Sequence, residues 1–370
     1  MPAPLGARRP WWRSQFAADY LRPFAVAAWA AAFISAILIY GIPTAREQLI
    51  VWLALGAVSA TVGVRNPLWV IVDWLPFAAF LIGYDYSRGA ADSLGSPIRW
   101  TPQIEMDRLL FFGQVPTVWL QEHLRQGQAQ WWEAGVALTY TSHFIVPYAM
   151  CAWYWLRNRL LFLQFAGRFI ALSFVGIAGY ILVPAAPPWA ASRCTPAEVA
   201  GGHVVPRCIG RAAAPPGNLL GAFHPGYPGT APYLQRVTLR GYELMHLKFA
   251  AGWLREGQAA VNYVAAVPSL HGAFSVLILI FCWRRVRWWW RPVLVGYPLA
   301  MMFTLVYSGE HYVTDVLLGW AAAAAVCVAA AAIERRLARP RSSGGVPRTA
   351  DRQPDGETSC PQTAMTSSSA

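Results

Sequence analysis

Two short stretches hold the residues whose types and spacing can do chemistry. The first is Pro268-Ser269-Leu270-His271-Gly272, and the second runs from Ser308 through Gly309, Glu310, His311, Tyr312, Val313 and Thr314 to Asp315. His311 and Asp315 are four apart, which puts them on one helical face. A carboxylate there accepts from one imidazole nitrogen, fixes the tautomer and leaves the other nitrogen free as a nucleophile. His271 supplies a second imidazole, projecting from the first turn of its own helix. Each motif opens an apolar run. Pro268 suits a first helical position and Ser308 suits an N-cap. The N–H groups of two first turns would then face one anion, with Ser269 as a phosphate-binding candidate. This is the equipment for metal-free phosphoryl transfer. A charge such as Asp315 at the start of an apolar helix is costly and usually marks a working site.

Those residues need elements to hold them, and composition says which. The 370-residue chain is 56% hydrophobic and 13% charged, against roughly 25% charged in soluble domains. A bilayer is the implied solvent. The net charge of +12 comes from arginines in short loops between apolar runs, with Lys248 the only lysine. That distribution reads as a topology signal and not as nucleic-acid binding. A span needs about 20 apolar residues to cross roughly 30 Å. Eight runs qualify, at about 24–42, 47–63, 67–84, 133–155, 164–184, 262–282, 291–307 and 313–333. The first follows Arg22, lacks a convincing cleavage site and reads as a membrane helix, not a signal peptide.

With eight spans the arginine-rich segments fall on one side, which the positive-inside rule makes cytoplasmic. They are the N-terminal residues 1–23, Arg65, Arg157 with Arg159, Arg284 to Arg291, and Arg335 to Arg341. Both termini are then cytoplasmic, and His271, His311 and Asp315 face outward, as expected of a plasma-membrane protein. Loops of about 85–132 and 185–261 also lie outside. The first predicts an amphipathic helix over 103–125 lying at the interface, its apolar face formed by Phe111, Phe112, Val115, Val118, Trp119 and Leu120. The second carries Cys194 and Cys208, a possible disulfide in an oxidising compartment, or else two separate thiols. Cys151, Cys282 and Cys327 sit in apolar runs, and no zinc pattern is present. Residues 335–370 are polar and read as a disordered cytoplasmic tail.

PSLH, followed about 40 residues later by HYVTDVLLG, resembles signature motifs of the type 2 phosphatidic acid phosphatase (PAP2) superfamily. The inositolphosphotransferase and inositol phosphorylceramide synthase-like branch is the nearest in look. Supporting stretches are Tyr84 to Arg88, Val115-Pro116-Thr117, Tyr140 to Tyr148, and Val183 to Trp189. The resemblance implies an all-α integral membrane fold of about eight helices. Residues 24–66 would form an extra N-terminal hairpin, and 67–334 a catalytic domain with a six-helix core. It also implies that His311 attacks phosphorus, Asp315 orients it, and His271 is the general acid. No metal or cofactor is implied. The implied partners are the bilayer and a lipid or lipid-linked phosphate, with the oligomeric state open.

The chain departs from the phosphatase branch in two places. No Lys-x6-Arg-Pro motif is found, and Leu305 stands six residues before His311, where that branch has arginine. Another cation must hold the phosphate, and Arg88 is the first candidate, with Lys248 and Arg193 behind it. Arginine's planar fork suits phosphate oxygens. Arg193 reads better as an ordinary loop charge, and His143 and His246 as structural. The expected activity is phosphoryl or phospho-headgroup transfer on a lipid or isoprenoid phosphate at the outer leaflet. Hydrolysis by water is the alternative acceptor chemistry. A transporter is the rival of a different class, although no paired broken helices are visible in the sequence.

Overall fold

A segment in lipid has no water to satisfy its backbone, so apolar runs of this kind fold as helices. The computed structural model of the chain describes residues 15–40, 46–66, 68–76, 78–79, 83, 97–200, 206–247, 251–252 and 266–338. Among them the fold is all helical, apart from one isolated parallel bridge between Arg99 and Ala185. Met1–Ala330 form one compact unit and Ala331–Ala370 a second. The site lies wholly in the first.

Helix α1 (Arg22–Tyr40) continues a π-helical turn, Ala17–Leu21, and packs against α2 (Arg46–Thr61). Trp29 Nε1 donates to the Trp52 carbonyl at 2.9 Å. A side chain at Gly56 would collide with the Trp29 ring, so a bare backbone lets the two helices close. Residues 68–76 are helical and carry Asp73, which accepts from Trp155 Nε1 at 3.0 Å and pairs with Arg159 at 2.6 Å. The third expected span, 67–84, lies only partly within the described residues.

The outer loop expected to hold one helix over 103–125 holds two, α3 (Pro102–Leu110) and α4 (Pro116–Leu124). Pro116 cannot continue a helix from the preceding turn, and Phe112 and Gly113 take φ of 55° and 91° between them. Of the expected apolar face, Phe111, Phe112 and Trp119 are turned outward and Val115 is buried. Gln103, Asp107, Thr117 and Gln121 are buried, whereas Leu109, Phe111 and Trp119 are exposed and Phe112 is 100% exposed. Polar groups inside and apolar groups outside suit a surface against lipid.

The fourth expected span is interrupted. Helix α5 (Glu133–Ser142) ends in turns at His143–Ile145, and α6 (Val146–Arg157) restarts with Pro147 in its first turn. Helix α7 (Arg159–Leu182) is capped by Asn158, whose side chain accepts from Leu161 N at 3.1 Å. Helix α8 (Leu270–Cys282) follows, then α9 (Arg291–Tyr307) and α10 (Val313–Ala338). Three helical stretches, Ala17–Ile39, Arg159–Leu182 and Val313–Ala338, are long and apolar enough to cross a membrane; the other described helices in expected spans are shorter. Residues 262–265 and the tail from 339 lie outside the described residues.

The main core joins α6, α7, α8 and α10. Phe162, Phe165, Phe169 and Leu172 pack against Phe274, Leu277 and Phe281, and the Phe169 and Phe274 rings stack at 4.3 Å. In lipid such contacts gain from packing density more than from water release. Leu160, Leu163, Phe174 and Leu182, on the same α7 helix, are exposed.

Candidate active site

Helix α8 begins two residues later than the sequence implied, at Leu270. Ser269 is its N-cap and Pro268 precedes the cap, so proline does not occupy the first helical position. The Ser269 hydroxyl accepts from Gly272 N at 3.4 Å and is fully buried. It therefore caps the helix terminus. The Ser269 N–H donates to the Asp315 carbonyl at 3.0 Å, tying the start of α8 to the first turn of α10. A methyl group at Gly319 would overlap the Ser269 carbonyl, so α10 approaches this turn through a side-chain-free position.

Ser308 closes α9 instead of opening α10. Gly309 takes φ of 76°, a left-handed conformation that costs glycine nothing. The chain then doubles back, and the N–H groups of Glu310 and His311 both donate to the Leu305 carbonyl, at 3.0 and 3.2 Å. His311 thus sits in the turn before α10 and Asp315 in the first turn. The pair still meets, with Nδ1 of His311 3.5 Å from Oδ2 of Asp315. Asp315 is fully buried and His311 is 7% exposed. With Nδ1 on the carboxylate side, Nε2 is the nitrogen left for chemistry.

The rings of His271 and His311 lie 5.8 Å apart, centroid to centroid. His271 also stacks on Tyr140 at 4.9 Å and lies 3.9 Å from the ring of His143. The His143 ring thus lies beside the candidate site. The break between α5 and α6 turns its ring onto His271, and no local sequence pattern announces that break's direction. His246 sits in a turn with φ of 57° after the short helix Arg240–Leu244.

Asp107, unremarked in the sequence, caps α10. Its carboxylate accepts from Val313 N at 3.1 Å, Thr314 N at 2.9 Å and the Thr314 hydroxyl at 2.6 Å. Burial raises its pKa against those hydrogen bonds, which lower it. Asp315 Oδ2 takes the Tyr312 N–H at 3.0 Å. The expectation that the first-turn N–H groups of α10 stand open to phosphate is therefore overturned. Two carboxylates occupy them, because orphan N–H groups buried under a loop must find acceptors.

Among the expected cations, Arg88 and Lys248 lie outside the described residues. Arg193 donates to the Ile209 carbonyl at 2.8 Å and lies over Trp189, as a loop charge should. The sequence reading missed Arg236. Its Nε and Nη2 donate to the two Glu310 oxygens at 2.7 Å each, and the Thr238 hydroxyl shares that carboxylate at 2.7 Å. Burial pushes the guanidinium down, but Glu310 outweighs it and the group lies above its ordinary value.

The two long loops are stitched to each other and to α9 beside this site. Gln121 donates to the carbonyls of Gln235 and Tyr307, both at 2.7 Å, and accepts from Gln235 N at 3.0 Å. Arg125 donates to the carbonyls of Ala231 and Tyr233, and its burial pulls its pKa to about 10. Tyr307 donates its hydroxyl to Glu133. Cys194 and Cys208 are disulfide-bonded, with Cα atoms 5.2 Å apart, and pack with Trp189 and Tyr312.

The family model described as the PAP2 superfamily matches residues 104–329. A phosphoinositol dihydroceramide synthase of Bacteroides thetaiotaomicron is 28% identical over 253 residues, covering 67% of this chain and 72% of the relative. No solved structure matches.

Proposed function

The chain belongs to the PAP2 superfamily, and from that premise we propose that this membrane enzyme transfers a phosphoryl-linked headgroup from one lipid to an alcohol at the outer leaflet. Its class, a lipid phosphotransferase or phosphatase, follows from the family and the similar synthase. The observation that carries the mechanism is the placement of the His271 and His311 rings 5.8 Å apart with Asp315 behind His311.

In this reading Nε2 of His311 attacks phosphorus. The bond from phosphorus to the leaving oxygen breaks, and His271 gives that oxygen its proton. Asp315 stabilises the cationic phosphohistidine. In the second half His271 takes the proton of the acceptor hydroxyl, the acceptor oxygen attacks phosphorus, and the P–N bond breaks to return His311. Because the attacking nitrogen is regenerated, no co-reactant is consumed beyond the two substrates.

Transfer is favoured over hydrolysis because His311 is 7% exposed beneath a loop held by Gln121, Arg125 and a disulfide. A site so covered restricts water. Since the relative carries the name phosphoinositol dihydroceramide synthase, a phosphoinositol group is the first headgroup to try and a ceramide-type alcohol the first acceptor. Product mass spectrometry on purified protein with phosphatidylinositol, with and without dihydroceramide, tests this in the presence of EDTA. Headgroup appearing on dihydroceramide supports transfer. Release of free inositol phosphate at the same rate with or without the acceptor would sink it in favour of hydrolysis.

A further inference from the structure

The bound substrate brings negative charge to a place already rich in it. Asp107, Glu310 and Asp315 are all buried around the two histidines. The N–H groups at the start of α10 are taken up by Asp107 and Asp315. A cation is needed, and Leu305 stands where the phosphatase branch would supply one.

Arg236 is placed to supply it. One edge of its fork is bidentate on Glu310, the residue before His311. It also hydrogen-bonds Tyr140, whose ring stacks on His271 at 4.9 Å. The guanidinium thus touches a neighbour of each histidine, and the histidine rings are 5.8 Å apart. Trp189 lies under it at 5.2 Å, fixing its plane. Its side chain is 22% exposed against 7% for Glu310, so the carboxylate is the buried anchor and the guanidinium the reachable partner. A guanidinium has five N–H donors. Glu310 takes two of them and Tyr140 is one further partner, which leaves donors for phosphate oxygens.

We propose that Arg236, held by Glu310 and Tyr140, binds the phosphoryl oxygens of the lipid substrate. This rests on the phosphoryl-transfer reading, and the test separates the two. The probe is orthovanadate, a phosphate mimic, titrated calorimetrically into the full-length protein in detergent. Removing Arg236 alone would strand the buried Glu310 charge and threaten folding, so the main variant is the neutral pair Arg236→Gln with Glu310→Gln.

The native protein is expected to bind vanadate, and the paired variant about 10- to 100-fold more weakly with a melting temperature near native. Arg236→Lys keeps charge but loses the fork, and should fall between. Should the paired variant fail to fold, the lysine variant decides: weaker binding supports the assignment and unchanged binding overturns it. Native protein that binds no vanadate, or a folded paired variant that binds within twofold of native, overturns it too. Vanadate binding that depends on Arg236 in a protein that turns over no lipid phosphate would uphold the anion site and sink the transfer reading.

Discussion

Asp107 and Thr314 are joined twice, by the Thr314 N–H at 2.9 Å and its hydroxyl at 2.6 Å, across 207 positions of sequence. The pair anchors the first turn of α10, three residues beyond His311, to α3. Asp107 is thereby a positioning residue for the histidine–aspartate pair. Asp107→Ala should destabilise the fold by about 1–3 kcal/mol, the cost of stranding buried donors. Turnover should fall with it, while Asp107→Asn, which keeps an acceptor oxygen, should retain more of both. Paired melting curves and kcat values check this.

The same carboxyl gives a pH signature. Its folded pKa is raised, chiefly by burial. The folded state therefore holds its proton over a range where the unfolded chain has lost it. Stability from this group is present below the ordinary carboxylate value and is lost as pH rises through the raised one. Melting temperatures measured across that acidic window should drop more steeply with rising pH in the native protein than in Asp107→Asn. Parallel curves would show that Asp107 does not titrate there.

Substituting the chemistry-bearing residues should separate their roles. His311→Ala should lose measurable headgroup transfer while keeping its melting behaviour. His271→Ala should slow it by about 10²–10⁴-fold, the usual worth of general acid–base help. His311→Ala turning over at the native rate would refute the assigned nucleophile. His143, 3.9 Å from His271, should matter less, and His143→Phe is expected to slow transfer by less than His271→Ala does.

The Cys194–Cys208 bond closes a 14-residue separation. A loop of that size is worth about 3 kcal/mol by the chain-entropy estimate. Replacing both cysteines by serine should lower the unfolding midpoint accordingly, and adding reductant to native protein should give the same shift.

Position 319 tests the approach of α10 to the α8 turn. Gly319→Ala must displace the Ser269 carbonyl, an overpacking cost of typically 1–3 kcal/mol. Turnover should fall further than stability alone explains, because the displaced turn carries His271. Gly135→Ala, where an added methyl meets nothing, is the control expected to stay near native.

Topology is checked by labelling. His224→Cys, on the exposed outer loop, should react with an impermeant thiol reagent in intact cells. Arg284→Cys, in the exposed turn after α8, should react only after permeabilisation. The reverse pattern would overturn the arginine-based orientation.

The helical membrane fold was legible without coordinates, because lipid forces apolar runs into helices and the runs are visible residue by residue. So were His271, His311 and Asp315, since each motif is contiguous or spaced by one helical turn. The breaks were harder. Pro116 and Pro147 are visible as residues, but whether a proline interrupts a span or merely opens a helix depends on what the neighbouring turn packs against.

Only the tertiary structure brought in Asp107, Arg236 and the His143 ring. Asp107 meets Val313 across 206 positions and Arg236 meets Glu310 across 74, and a contact at such range leaves no period or motif behind it. It also reversed one inference drawn from local rules. A helix start has orphan N–H groups by geometry, but whether they wait for a ligand or are already satisfied is decided by the chain that folds over them. At α10 Asp107 and Asp315 satisfy them, which is why the proposed phosphate ligand is a side chain from the loop, Arg236.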